Sequence, residues 1–325
     1  MRVIYITAHG QDNLEDAVFH GLRSLFGEDC VEYPKKERMY NNFAPPPDLH
    51  VYGRLFTLWK TLDDIEVDRS IVYERIKKGD YDLLFFGNIH RSFPIFRDVY
   101  QYLDQRKTIL LDGEDHVMPQ KGTQKFIYFK RELTLKAWYY MYFKMIPRFV
   151  YRRLPLPSNM RPTAFAIPKE KITNDVNLSG KVHLLPAHIV DEEVRGSNLV
   201  AHQSGFDHVF TSEHDYYHNL QQAKFGITTK RGGWDCLRHY EIAANGAVVS
   251  FRSLDKKPVT CAPHGLDNSN CITYNSVYDL QKTIESISDE KYTELVEAGY
   301  KWINRQTTDY RATEIIDVAR SYFSS

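Results

Sequence analysis

Cysteine is scarce in this chain: Cys30, Cys236, Cys261 and Cys271 are the only ones in 325 residues, and no two form a C-x-x-C pair. Such spacing offers neither a disulfide framework nor a zinc knuckle, so Cys261, His264 and Cys271 read as a loop group and the setting as reducing. Net charge is lacking as well. Lys and Arg together number 42, as do Asp and Glu, so no global field selects a polyanion and nucleic acid is not expected as the main partner. No apolar run reaches the roughly 18 residues of a spanning helix. The opening MRVIYITAHG is strand-like, without the basic, apolar and small-residue regions of a secretory signal. No repeat of solenoid period occurs. A cytoplasmic location is expected, with the inner face of a membrane as the further option.

The chain is long enough for two cores. Residues 3–7, 31–33, 81–86 and 107–111 are short, largely apolar runs, separated by helical patterning at 14–26, 71–78 and 93–105. That alternation predicts a doubly wound parallel sheet, whose ligands lie beyond the carboxyl ends of the strands. His9, His90 and the group at 112–116 all stand at such ends. A proline-rich connection follows at about 155–168. Beyond it, strands are expected at 182–185, 199–201, 225–229, 247–251 and 272–274, and helices at 216–222, 236–245, 277–287, 290–305 and 312–322.

Residues 223–251 carry the densest signal. The β-prone run 225–229 leads to Gly232 and Gly233, which let the backbone turn and approach a ligand closely. Asp235 is placed to cap a helix over 236–245, Gly246 stands at its left-handed stop, and 247–251 returns as a buried strand. A helix N-terminus offers free N–H groups to phosphate, and Lys230, Arg231 and Arg238 add cations at that end. Glu241, three residues past Arg238, shares its helix face, where a carboxylate can accept from both ribose hydroxyls. The plainer reading is an ordinary crossover with a surface ion pair between Arg238 and Glu241.

Within this unit, RHYEIAANGAVVS resembles the donor-site signature of GT-B-type glycosyltransferases, nearest their exostosin-like and CgeB-like branches. The preceding YYHNLQQAKFG is similar to their Y-x3-L-x2-(S/A)-K-F stretch, so the resemblance covers about residues 216–251. One departure is the absence of the proline common in the returning strand, where Val249, Ser250 and Phe251 stand. The resemblance implies an α/β fold of two Rossmann-like domains facing across a cleft. Residues 1–165 would form the acceptor side and 166–305 the nucleotide-sugar side, with 306–325 a helix packing back on the first domain. It also implies transfer of a sugar from a nucleotide-sugar donor to a hydroxyl acceptor, such as a lipid-linked or polysaccharide glycan. The resemblance gives donor contacts to Arg238 and Glu241; the loop's own chemistry adds Lys230, Arg231 and Gly233, and no cofactor beyond this co-substrate is expected.

Transfer with inversion needs a base on the acceptor hydroxyl, and the leaving diphosphate needs positive charge. The candidate bases lie on the first domain: Asp112 or Glu114, then His90, then His9. Each also has an ordinary reading as a turn-capping carboxylate or a loop histidine. Asp112 and Glu114 invite a divalent metal as well, since hard oxygen ligands suit one. The cationic unit at 230–238 would then be redundant, so no metal is expected.

Residues 125–153 interleave Lys and Arg with aromatic rings around a single acid, Glu132. Three readings fit: a docked helix with outward-reaching cations, an interfacial helix making peripheral membrane contact, or a stacking platform for single-stranded nucleic acid. Two rival functions stay open: a non-catalytic nucleotide- or sugar-binding protein of the same fold, and a glycosyltransferase acting on nucleic-acid bases.

Overall fold

The computed structural model describes residues 1–46, 56–134, 155–200 and 209–324. Strands β1 (Val3–Ile6), β2 (Cys30–Tyr33), β3 (Leu83–Phe86), β4 (Thr108–Asp112), β5 (Ile127–Lys130) and β6 (Met160–Pro162) form one parallel sheet in the order β2-β1-β3-β4-β5-β6. Alternate residues face opposite cores. Tyr5, Phe85, Ile109 and Phe129 point to one, and Ile4, Leu84, Leu110 and Tyr128 to the other. A sheet covered on both faces explains why these strands are unbroken apolar runs.

Helix α1 (Asn13–Phe26) covers the first face through Leu14, Val18, Phe19 and Leu22. Its start is set by Asp12, whose Oδ1 accepts from the amides of Leu14 and Glu15, both at 2.9 Å. Helices α2 (Val72–Lys78) and α3 (Phe93–Val99) cover the other face through Val72, Ile76, Phe96 and Val99.

A second parallel sheet, in the order β7-β8-β9, contains β7 (Phe225–Thr229), β8 (Val248–Arg252) and β9 (Ile272–Tyr274). Around it lie α4 (Glu192–Arg195), α5 (Glu213–Gln222), α6 (Leu237–Ala244), α7 (Val277–Ser286) and α8 (Asp289–Ile303). The last helix, α9 (Thr308–Phe323), lies against α1, with Thr308 Oγ1 2.8 Å from His20 Nδ1. Tyr240 and Ile242 of α6 belong to the same apolar cluster as Tyr5 and Phe85. The two sheets therefore share a core.

Four local expectations fail. Residues 182–185 make only a bridge, His183 to Ala223, because Val182 is 67% exposed and has no sheet face to cover. Leu199 and Val200 are irregular, and the helix expected over 93–105 ends at Val99 before a 3-10 turn, Tyr100–Tyr102. The segment at 125–153 opens as an inner strand of the sheet, not as a helix. Lys130 and Arg131 are 0% and 1% exposed, so neither cation faces a membrane or a nucleic acid. Residues 135–153 lie outside the described residues. Among the described residues no helix is long and apolar enough to cross a membrane.

Candidate active site between the domains

The unit read from residues 223–251 folds as strand, loop, helix and parallel strand, with Phe225 registered on Val248 and Gly246 at a φ of +69°. Its N-terminal cap differs from expectation. The cap is Cys236, which gives no side-chain hydrogen bond, and the helix begins at Leu237. Asp235 turns inward instead, accepting from the Phe165 amide at 2.8 Å and the Tyr240 hydroxyl at 2.9 Å. Those two donors are buried at the domain junction and need an acceptor more than an exposed helix end does.

Behind the loop, His239 is fully buried and pushed down to about 3 by that burial. The ring is therefore neutral. Its Nε2 donates to the Trp234 carbonyl at 2.9 Å, leaving Nδ1 to accept from the Thr228 hydroxyl at 2.9 Å. Stacked on Phe251 at 4.5 Å, it braces the loop from within.

Glu241 is 8% exposed and faces the first domain. Its Oε1 accepts from Thr57 Oγ1 at 2.5 Å and its Oε2 from the Tyr216 hydroxyl at 2.8 Å. Burial raises its pKa, and the two hydroxyls and the Arg238 charge oppose the rise. Arg238 is half-buried beside it. Among the described residues it forms no ion pair; its Nη1 lies 3.7 Å from Cys236 Sγ, and its buried Nε has no partner. The surface ion pair of the plainer reading is thus not formed. Lys230 and Arg231 are exposed at the mouth of the loop, with Lys230 Nζ 5.9 Å from the Trp234 ring centre.

The loop glycines meet protein rather than open space. A side chain at Gly233 would collide with the Glu132 carboxylate, and one at Gly232 with Asp115. Both acids belong to the first domain. Glu132 Oε1 accepts from the amides of Trp234 at 2.8 Å and Asp235 at 3.3 Å, and from Arg131 at 3.1 Å. Arg131 also donates to the Gly113 and Asp235 carbonyls, pairs with Asp115, and lies 4.4 Å from the Phe165 ring centre. Sequence reasoning missed this clamp.

In the first domain, Asp112 is fully buried at the end of β4. Its Oδ2 accepts from Lys130 Nζ at 2.9 Å, His90 Nε2 at 2.9 Å and the Tyr128 hydroxyl at 2.6 Å. Burial pushes its pKa up, but the Lys130 charge and then His90 outweigh that and hold the carboxyl well below the usual range. Oxygens so engaged cannot serve a metal or an incoming hydroxyl. Glu114 is tied to Asn88 at 2.9 Å and Arg91 at 3.0 Å. His90 keeps a partly exposed edge, and its ring meets His116 edge-on at 4.8 Å. Of the expected bases, Asp112 is closed off, while the side chains of His90 and Glu114 stay 19% and 24% exposed. His9 lies on the exposed loop after β1. No cluster of three His, Cys, Asp or Glu side chains that could hold a metal ion occurs among the described residues.

No family model and no curated protein matches this sequence. Solved structures do match its shape over the whole length. A glycosyltransferase from Rickettsia africae ESF-5 is similar with a TM-score of 0.58 at 8% identity, covering 100% of this chain and 99% of that one. Anabaena HepE, solved with UDP and glucose, gives 0.56 at 8% identity over 99% of this chain and 100% of its own. Sucrose-phosphate synthase from Thermosynechococcus elongatus gives 0.53 at 10% identity, covering 100% and 99%. The chain thus has the GT-B fold, two Rossmann-like domains facing across a cleft.

Proposed function

We propose that this chain is a glycosyltransferase that moves a sugar from a nucleotide-sugar donor to a hydroxyl acceptor. The observation carrying this reading is the pair at the crevice. Glu241 takes one hydroxyl on each carboxylate oxygen, beside an Arg238 guanidinium that has no anion among the described residues. Such a carboxylate fits the vicinal hydroxyls of ribose, and such a guanidinium fits the adjoining phosphates. Lys230 and Arg231 assist the departing diphosphate, and Gly233 keeps the loop seated. A structure of the same fold that holds UDP and glucose supports a nucleotide-sugar donor.

Across the crevice, His90 takes the proton of the acceptor hydroxyl. Asp112 orients its ring from the far side and Glu114 fixes the neighbouring loop. No metal is needed where cations already meet the leaving group. We assign residues 1–165 to the acceptor side, 166–305 to the donor side and 306–325 to the returning helix. The donor motif is nearest the exostosin-like and CgeB-like branches, with a lipid-linked or polysaccharide glycan as acceptor, at the inner face of the membrane.

Thermal-shift measurements with UDP, GDP, CMP and their sugars test the reading. At least one nucleotide should raise the melting temperature of the wild type, and Glu241→Ala and Arg238→Ala should remain folded but lose that shift. Undiminished shifts in both variants refute it. Donor turnover separates an enzyme from a binding protein of the same fold.

A further inference from the structure

Thr57 has a conformation that its residue type disfavours, a φ of +74° in a β-branched residue. Its neighbour Leu58 is 1% exposed and clusters with Trp59 and Ala17, Trp59 Nε1 lies 3.3 Å from Asp16 Oδ2, and the Lys60 amide donates to the Arg38 carbonyl at 2.9 Å. This seats the segment on the first domain. The amide and hydroxyl of Thr57 are held by the second. Its amide donates to Glu213 Oε1 at 2.5 Å, its hydroxyl donates to Glu241 Oε1 at 2.5 Å, and Tyr217 donates to that hydroxyl at 2.7 Å. Glu213 is itself anchored by Lys171 at 2.6 Å, and Phe56 stacks on Tyr216 with ring centres 6.0 Å apart.

Together with the Tyr216 hydroxyl, Thr57 thus gives Glu241 one hydroxyl on each carboxylate oxygen. A vicinal diol would present the same pattern. We infer that Thr57 is an internal occupant of the ribose subsite: its hydroxyl stands on Glu241 in the ligand-free chain, latches the two domains together, and must withdraw before a nucleotide can engage. This inference rests on the donor-site reading above. The disfavoured φ fits such a role, because the contacts that hold Thr57 there are ones a diol can replace.

The test is titration calorimetry of UDP, GDP and CDP, each beside its 2′,3′-dideoxy form, into wild type, Thr57→Ala, Thr57→Ser and Glu241→Ala. Thr57→Ala should bind the ribonucleotide about tenfold more tightly, the gain expected when only about one molecule in ten is unlatched. Thr57→Ser should bind like wild type, and the dideoxy form should gain nothing from Thr57→Ala. Hydrogen exchange over residues 56–62 should rise in Thr57→Ala without any ligand. If Glu241→Ala loses binding while Thr57→Ala is no tighter than wild type, the latch is overturned and the donor site stands. If Glu241→Ala binds like wild type, or no nucleotide binds any of the four proteins, the donor-site reading falls and the latch with it.

Discussion

On the first-domain wall of the crevice, the buried Asp112 carboxylate accepts from Lys130, His90 and Tyr128. On the opposite wall, the half-buried Arg238 guanidinium has no anion among the described residues and a buried Nε without a partner. A buried charge is ordinarily paired, because desolvation otherwise costs several kcal/mol. The first wall obeys that rule with its own residues and so behaves as framework, orienting His90. The second leaves a cation with no bonded anion among the described residues, beside the Glu241 carboxylate, which is bonded to hydroxyls; that is the arrangement the proposed donor site calls for.

That contrast can be broken by substitution. Lys130→Met leaves Asp112 as an unpaired buried charge and should destabilise the chain by about 3–5 kcal/mol, read by urea unfolding. If the loss is below about 1 kcal/mol, Asp112 is not held as framework.

The second domain can also be probed through pH. His239 is pushed down to about 3 and His264 to about 4, both chiefly by burial. An unfolded histidine takes up its proton near 6.5, so below that pH the unfolded chain binds protons that the native chain refuses. Each such histidine withdraws up to about 1.4 kcal/mol of stability per pH unit as the pH falls. Glu15, pushed up to about 7 by burial, acts in the opposite direction. The share of His239 is therefore the difference between wild type and His239→Gln. Between pH 6 and 4 the variant should lose stability less steeply, and equal slopes would mean that His239 is not held neutral.

The smallest effect is expected for Arg238→Met, whose stability should stay within about 1 kcal/mol of wild type, since no bonded partner is orphaned. A loss near that of Lys130→Met would make the two walls alike.

The fold was readable where local pattern reports burial. Strands covered on both faces appear as runs such as those at β1 and β3, and Gly246 marked the end of α6 as its positive φ requires. The strand, loop, helix and strand around Arg238 and Glu241 were readable because they are close in sequence. What escaped was long-range pairing. Asp235 looked like a cap because nothing nearby shows that Phe165, 70 residues away, needs its carboxylate. Glu132 reaches amides 102 and 103 residues later, and Thr57 meets Glu241 across 184. Lys130 and Arg131 belonged to a run rich in cations and rings. Only the sheet order reveals that β5 is interior and that both cations have acids to meet.

The most direct test is calorimetric titration of nucleoside diphosphates into wild type and Arg238→Met, with both proteins shown to be folded by circular dichroism. The proposed site around the Arg238 guanidinium predicts at least a tenfold loss of affinity in the variant, about 1.4 kcal/mol or more. Equal dissociation constants in the two proteins would contradict it.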